Sequence, residues 1–284
     1  MRTHLVRRLL AVMALTLAAL VANVAPAPAA APPGGWAPAA TATIRPGVQM
    51  FTDGAQCTAN FIFTNGADVF IGYAAHCAGL GAATETNGCD AGTLPVGTPV
   101  EITGASQPGT LAYSSWAAMQ SANEADANAC DYNDFAVVKI HPDDVAKVNP
   151  SVPHWGGPTG LNTAGNPTLS RLYTYGNSSL RFGIALLSPK TGISLGTTGG
   201  GWTHPSYTVS PGIPGDSGSA LLDAQGRASG VLSTLAIAPT PLSNNFSDLS
   251  RALTYARSHS GLTGLALENG TEAFDGSKLP LGIG

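Results

Sequence analysis

Three short stretches of the chain put reactive side chains where a strand ends or a turn tightens. Tyr73-Ala74-Ala75-His76-Cys77 is an apolar run that stops at an imidazole. A strand end holds a ring rigidly, which is what a general base requires. In Asn133-Asp134-Phe135-Ala136-Val137-Val138 a carboxylate opens an otherwise apolar strand. Its neighbours will bury it in part, so it needs a hydrogen-bond donor, and an imidazole N–H would both satisfy it and fix the ring tautomer. The competing carboxylate, Asp131, follows Cys130 and reads as part of a solvated turn. Pro214-Gly215-Asp216-Ser217-Gly218-Ser219 is a Gly-flanked turn that presents a hydroxyl. Gly215 permits a backbone conformation in which the N–H groups of Gly215 and Ser217 point together at a developing oxyanion. Singly, each stretch has a bland reading as a structural histidine, a turn aspartate and a hairpin loop. Together they supply a nucleophile, a base and a group to orient the base, which is the chemistry of acyl transfer.

Short strands must position these groups. Apolar runs bounded by Gly, Pro, Asn or Asp predict strands at Asn60–Thr64, Val69–Ala75, Phe135–Ile140, Leu169–Tyr175, Leu180–Leu187, Ser219–Leu222 and Ala228–Ala238. With 35 Gly and 21 Pro, and only 11% of residues charged, the composition is that of an all-β protein with many turns. A Gly/Pro/Asn-rich stretch over 156–167 marks a boundary between a first half, 44–155, and a second, 168–261. One helix is signalled near the end, with Ser247 as its cap, Leu249, Ala252, Leu253 and Ala256 on one face, and Gly261 as its stop. Residues 262–284 are Gly-rich and irregular, and no role can be read from them.

Arg2, Arg7 and Arg8 precede an apolar stretch and then small residues, the order of a secretory signal peptide over 1–29. The apolar stretch is short for a bilayer core of about 30 Å, so no membrane association is expected after its removal. Residues 30–43, rich in Ala, Pro and Gly, read as a propeptide or leader without packed structure. Secretion makes four cysteines an expected disulfide framework. The sequence-nearest pairing is Cys57 with Cys77 and Cys89 with Cys130, with the other two pairings open. Without a Cys-x-x-Cys pair, no metal site is expected. A net charge of -4 and the lack of a basic stripe argue against nucleic acid as a partner.

Taken with their order along the chain, His76, then Asp134, then Ser217, these motifs resemble the chymotrypsin-like (trypsin-type) serine peptidase family, in particular its secreted bacterial branch. The resemblance covers about residues 44–260. It implies an all-β fold of two antiparallel β-barrels with a C-terminal α-helix, and a secreted, cofactor-free endopeptidase acting on polypeptides; the sequence is silent on oligomeric state, with a monomer the default. Carried over, Ser217 is the nucleophile, His76 the base and Asp134 its orienter. Gly215 and Ser217 form the oxyanion hole, and Ser233 supports the aspartate.

The chain also departs from that pattern. No Ile-Val-Gly-Gly-like sequence precedes Cys57, so a new amino terminus is not expected to pair with Asp216; Arg171 is the expected internal partner. Pro211 stands where trypsin-like members carry an aspartate, and Thr234 and Leu235 stand where an aromatic residue and a glycine are common. The specificity pocket should therefore take small or medium apolar side chains, with His204 leaving glutamate conceivable. Two rival readings remain. A non-catalytic binding protein could use the same scaffold. An α/β-hydrolase esterase would need an acid and a histidine after Ser217, and Asp248 and His259 both fall on the predicted helix.

Overall fold

Apolar side chains repeating at short intervals between turn residues cannot be buried by isolated strands, so the strands must pair and curl around shared cores. The computed structural model describes residue 32 and residues 34–81, 85–235 and 241–280. The expected signal peptide lies outside them, as does the end of the last predicted strand. Among the described residues, no helix is long and apolar enough to cross a membrane.

In the first half, β1 (Gln49–Thr52), β2 (Ala55–Thr58), β3 (Ile62–Asn65), β4 (Asp68–Tyr73), β5 (Pro99–Ile102), β6 (Gly109–Ser114) and β7 (Ala136–Lys139) join β14 (Ala266–Leu267) in one antiparallel sheet, ordered β14-β3-β4-β7-β6-β5-β1-β2. Between β2 and β3, Asn60 and Phe61 exchange hydrogen bonds with Gly72 of β4, which folds the sheet back on itself. Two helices, α1 (Ser115–Ala122) and α2 (Ala127–Tyr132), sit between β6 and β7. The interior is apolar and aromatic, with Phe61, Phe63, Phe70, Phe135 and Tyr73 all fully buried.

The second half is a closed barrel of six strands, ordered β10-β13-β12-β11-β8-β9. These are β8 (Arg171–Tyr175), β9 (Pro189–Ser194), β10 (Thr203–Thr208), β11 (Ala220–Leu222), β12 (Ala228–Leu235) and β13 (Asn244–Asp248). Leu172, Leu221, Leu232 and Phe246 form its small apolar centre. Helix α3 (Leu249–Ser258) follows and buries Leu249, Ala252, Leu253 and Ala256.

Several expectations need correction. Leu180–Leu187 is not a strand. It forms short 3-10 turns at Ser179–Arg181 and Ala185–Leu187, with Phe182 and Gly183 at positive φ between them. Its apolar side chains face outward while Arg181 is buried, so an apolar run is here the outer surface of a loop anchored by a cation. The cap of α3 is Asp248, whose carboxylate accepts the Arg251 N–H at 2.7 Å. Ser247 lies within β13, one residue before its end, and its hydroxyl bonds to Asp134 N and Tyr132 O instead. Residues 34–43 are mostly exposed but not detached: Trp36 is half-buried against the core, and Ala37 exchanges hydrogen bonds with Val148 and Asn149. Residues after 261 also have a place. β14 pairs with β3, while Phe274 packs edge-on against Tyr173 of β8, whose hydroxyl donates to the Gly276 carbonyl. This segment touches both halves.

Candidate active site

β4 and β7 run antiparallel with Tyr73 opposite Ala136. Residues just after Tyr73 and just before Ala136 therefore emerge at the same end of the sheet. The chain turns there into a short 3-10 segment, Ala75–Ala78, that carries His76. A Cys57–Cys77 disulfide ties this segment to β2, and Cys89–Cys130 ties α2 to the loop before β5.

Asp134 Oδ2 lies 2.6 Å from His76 Nδ1, and Oδ1 accepts the His76 backbone N–H at 2.9 Å. A third donor comes from the other half: Ser233 Oγ, on β12, lies 2.6 Å from Asp134 Oδ2. Ser247 accepts the Asp134 backbone N–H at 3.1 Å and donates to the Tyr132 carbonyl, so the residue's backbone is fixed as well. Burial pushes the Asp134 carboxyl up, but the charge and hydrogen bonds of His76, with Ser233, outweigh it and hold the group below its ordinary 3.8. For His76, burial acts downward, and the Asp134 charge and hydrogen bond overcome it to leave the imidazole above 6.5. The carboxylate is almost fully enclosed, whereas the His76 side chain keeps 26% of its surface exposed.

The turn bearing Ser217 docks on this end of the first half. Thr58 N donates to the Ser217 carbonyl at 2.8 Å, and Gly218 N donates to Leu232 O at 2.7 Å. Gly218 has a φ of 88°, and a Cβ there would lie 2.5 Å from the Thr58 carbonyl and 3.0 Å from Ala74 N, so only glycine lets the turn approach so closely. No hydrogen bond links Ser217 Oγ to His76. The structure thus joins His76, Asp134 and Ser233 directly, and brings the Ser217 turn against the β2 and β4 ends beside them.

Gly215 adopts a φ of 95°, and its carbonyl accepts Thr58 Oγ1 at 2.7 Å and Gln56 Nε2 at 3.0 Å. With the carbonyl turned toward β2 and held there, neither the Gly215 nor the Ser217 N–H donates to a described residue. Two unspent donors in one tight turn are suited to an oxyanion.

Behind the turn, the expected partner of Asp216 is replaced. Arg171 begins β8 and is exposed. Arg181 makes the bidentate pair with the buried Asp216, and Lys190 Nζ adds a bond at 2.9 Å. Burial raises the Asp216 carboxyl, but the two cations overcome this and hold it below 3.8; burial also keeps the Lys190 ammonium below 10.5. Arg181 lies inside the segment read as an apolar strand and Lys190 just beyond it, and the signal that could have exposed Arg181 is its interruption of the apolar run by a charge.

Lys190 Nζ also donates to Pro211 O at 3.0 Å. Next to it, Gly212 N donates to Asn244 Oδ1 at 2.8 Å, and Asn244 Nδ2 donates to Thr208 Oγ1 at 2.7 Å. Asn244, missed in the sequence, therefore pins the backbone next to Pro211 with a neutral, satisfied amide. Thr234 accepts from Asn245 at 3.3 Å, and Leu235 stays half exposed. His204 is fully buried, with its two ring nitrogens engaged by Asp248 at 2.9 Å and Thr197 at 3.0 Å, so it is not free to meet an acidic side chain.

Metal-ligand types cluster among the described residues at Cys57, His76 and Cys77, but both sulfurs belong to one disulfide and cannot act as thiolates. Asp248 and His259, the esterase alternative, are spent as a helix cap partnered by His204 and as a ring stacked on Tyr255.

No family model and no curated protein matches the chain. Among solved structures, Protease A of Thermobifida fusca aligns over 80% of this chain and 99% of its own length, at 20% identity and a TM-score of 0.50. The fold is chymotrypsin-like. A chymotrypsin from Cellulomonas bogoriensis, at 19% identity, covers 79% of this chain and 97% of its own with a TM-score of 0.47. A Nocardiopsis protease does so at 17% identity, over 79% and 98%, with a TM-score of 0.47. Within this chymotrypsin-like fold, the first half supplies His76 and Asp134, and the second supplies Ser217 and Ser233. The expectation of two barrels is met in outline, with the second barrel closed and the first built as the folded-back sheet.

Proposed function

We propose that the chain is a secreted serine endopeptidase in which Ser217, His76 and Asp134 are the catalytic triad. The observation that carries this reading is the Asp134 carboxylate, held by His76 from one half and Ser233 from the other, beside a turn that offers a hydroxyl and two unspent N–H groups. His76 Nε2 takes the Ser217 proton as Oγ bonds to the substrate carbonyl carbon. The carbonyl electron pair moves to oxygen, where the Gly215 and Ser217 N–H groups receive it. As the carbonyl re-forms, the C–N bond breaks and His76 returns the proton to the departing amine. Water then repeats the sequence on the acyl-enzyme, and Asp134 holds the imidazolium throughout. No metal or cofactor is called on.

The substrate is an extended polypeptide. β12 is paired by β11 only as far as Val231, so its β11-side edge over 233–235 continues from the Ser217 turn with no partner strand among the described residues, while β13 pairs the opposite edge. A peptide can add to such an edge through its backbone. The residue before the cleaved bond is small or medium and apolar, supported by Pro211 and by the neutral Asn244 amide that pins the backbone next to it. Thr234 and Leu235 flank that pocket. The two disulfides support export to an oxidising compartment.

Reaction with a fluorophosphonate, followed by mapping of the labelled peptide, tests the proposal, with Ser217→Ala as control. A folded protein that resists labelling supports instead a binding protein on this scaffold, a reading favoured by the missing Ser217–His76 hydrogen bond. Such bonds often tighten only with substrate present.

A further inference from the structure

A cavity of about 320 Å³ opens beside Ser233 and Thr234, lined further by Thr86, Asp131, Tyr132, Thr203, Asn245 and Ser247. Among the described residues, every lining side chain carries a polar group, and Asp131 is the only one charged. Asp131 is exposed and meets one donor, Asn87 Nδ2, at 3.3 Å. Deeper in, Thr203 is 3% exposed and its hydroxyl has no hydrogen-bond partner. A buried hydroxyl left unsatisfied is costly, and a roomy polar cavity around it marks a place for a donor or acceptor supplied from outside.

We propose that this cavity is a subsite for a cationic side chain, Lys or Arg, carried by the substrate on the acyl side of the cleaved bond. The inference rests on the peptidase reading above. A peptide added along the 233–235 edge projects alternate side chains to either face, one of them over Ser233 and Thr234 toward the cavity. A long stem fits its depth, an ammonium or guanidinium meets the Asp131 carboxylate, and the Thr203 and Ser233 hydroxyls can accept the remaining N–H groups. An acidic side chain would face Asp131 with no cation among the lining residues to compensate. The apolar preference at the cleaved bond and the cationic preference further away thus have separate structural origins.

The test is a positional series of internally quenched peptides with a fixed apolar residue before the cleaved bond and Lys, Arg, Ala or Glu at each of the next three positions outward. At one position, Lys or Arg should exceed Glu in kcat/KM by about fivefold at low salt, the range of a partly exposed ion pair, and the ratio should shrink as salt rises. In Asp131→Asn the ratio should collapse toward one. Thr203→Val, which keeps the shape, should lower kcat/KM for the Lys peptide relative to the Ala peptide. Cleavage with equal rates for Lys and Glu at every position, or a preference that survives Asp131→Asn, overturns the subsite alone. Absence of both cleavage and fluorophosphonate labelling overturns the peptidase reading and the subsite with it.

Discussion

Ser233 and Asp134 stand 99 residues apart, yet a hydrogen bond of 2.6 Å joins them, and the oxygen that accepts it is the one facing His76 Nδ1. The carboxylate that orients the imidazole is thereby set from both halves of the molecule. Ser233→Ala should leave that oxygen short of a donor. A hydrogen bond to a charged group is worth about 1.5–3 kcal/mol, so turnover should fall by about tenfold or more while a fluorophosphonate still labels Ser217. Full turnover in the variant would remove Ser233 from the site.

Asp134→Asn should lower kcat by about 10⁴, the loss typical of this change in Ser-His-Asp enzymes, because the amide favours the wrong imidazole tautomer. The protein should still fold, since Asn keeps the size of the side chain. A variant with activity within tenfold of the parent would exclude Asp134 as the orienting group.

The pH dependence follows from the same pair. In the proposed triad, His76 must be neutral to accept the Ser217 proton, and its pKa is raised above 6.5 by the charge and hydrogen bond of Asp134. Activity should therefore rise with pH through a midpoint above 6.5, and the residual activity of Asp134→Asn should show that midpoint moved down. For stability the signs are opposite. The raised His76 contributes stability that is complete below its unfolded value and lost as pH rises through its folded one. The lowered Asp134 contributes stability present above 3.8 and lost as pH falls through its folded value. A kcat/KM profile and urea midpoints across pH measure both.

Arg181→Met and Arg171→Met should separate sharply. The first leaves a fully buried Asp216 with Lys190 as its one cation and should cost about 3–5 kcal/mol, with loss of labelling at Ser217. Arg171 is exposed, and its replacement should change stability by less than about 0.5 kcal/mol. Thermal melts and labelling rates compare them.

Reduction-proof removal of Cys57–Cys77 as a double alanine variant should cost about 3 kcal/mol, as expected for a loop of 20 residues. Activity should fall more than the melting temperature alone accounts for, because Cys77 adjoins His76. Parent-like kcat at a temperature where the variant is folded would show that the disulfide does not position the ring.

His76, Asp134 and the Ser217 turn were legible because each combines a polar group with local signals: apolar flanks, Gly, and a neighbouring Cys. Asp216 was legible as a buried carboxylate needing a cation, but its partner was not. Arg171 and Arg181 look alike in sequence, and the choice between them is made by a loop whose outward Leu180, Phe182 and Ile184 imitate a buried strand. Helix α3 was legible from its apolar face, and its cap missed by one residue because Ser247 and Asp248 are both good caps. Asn244 and Thr203 carry no local signal at all; only closure of the barrel places one beside Pro211 and the other in the cavity wall. The pairing of β14 with β3 was hidden for the same reason, since two residues pair across most of the chain's length.

Asp216 finds its counter-charges on Arg181 and Lys190, inside the same chain. A turn braced in this way needs no freshly exposed amine to complete it. For a peptidase built so, acquiring the native state and acquiring destructive capability coincide. Under the secreted reading proposed above, export ahead of folding would keep that capability out of the producing cell.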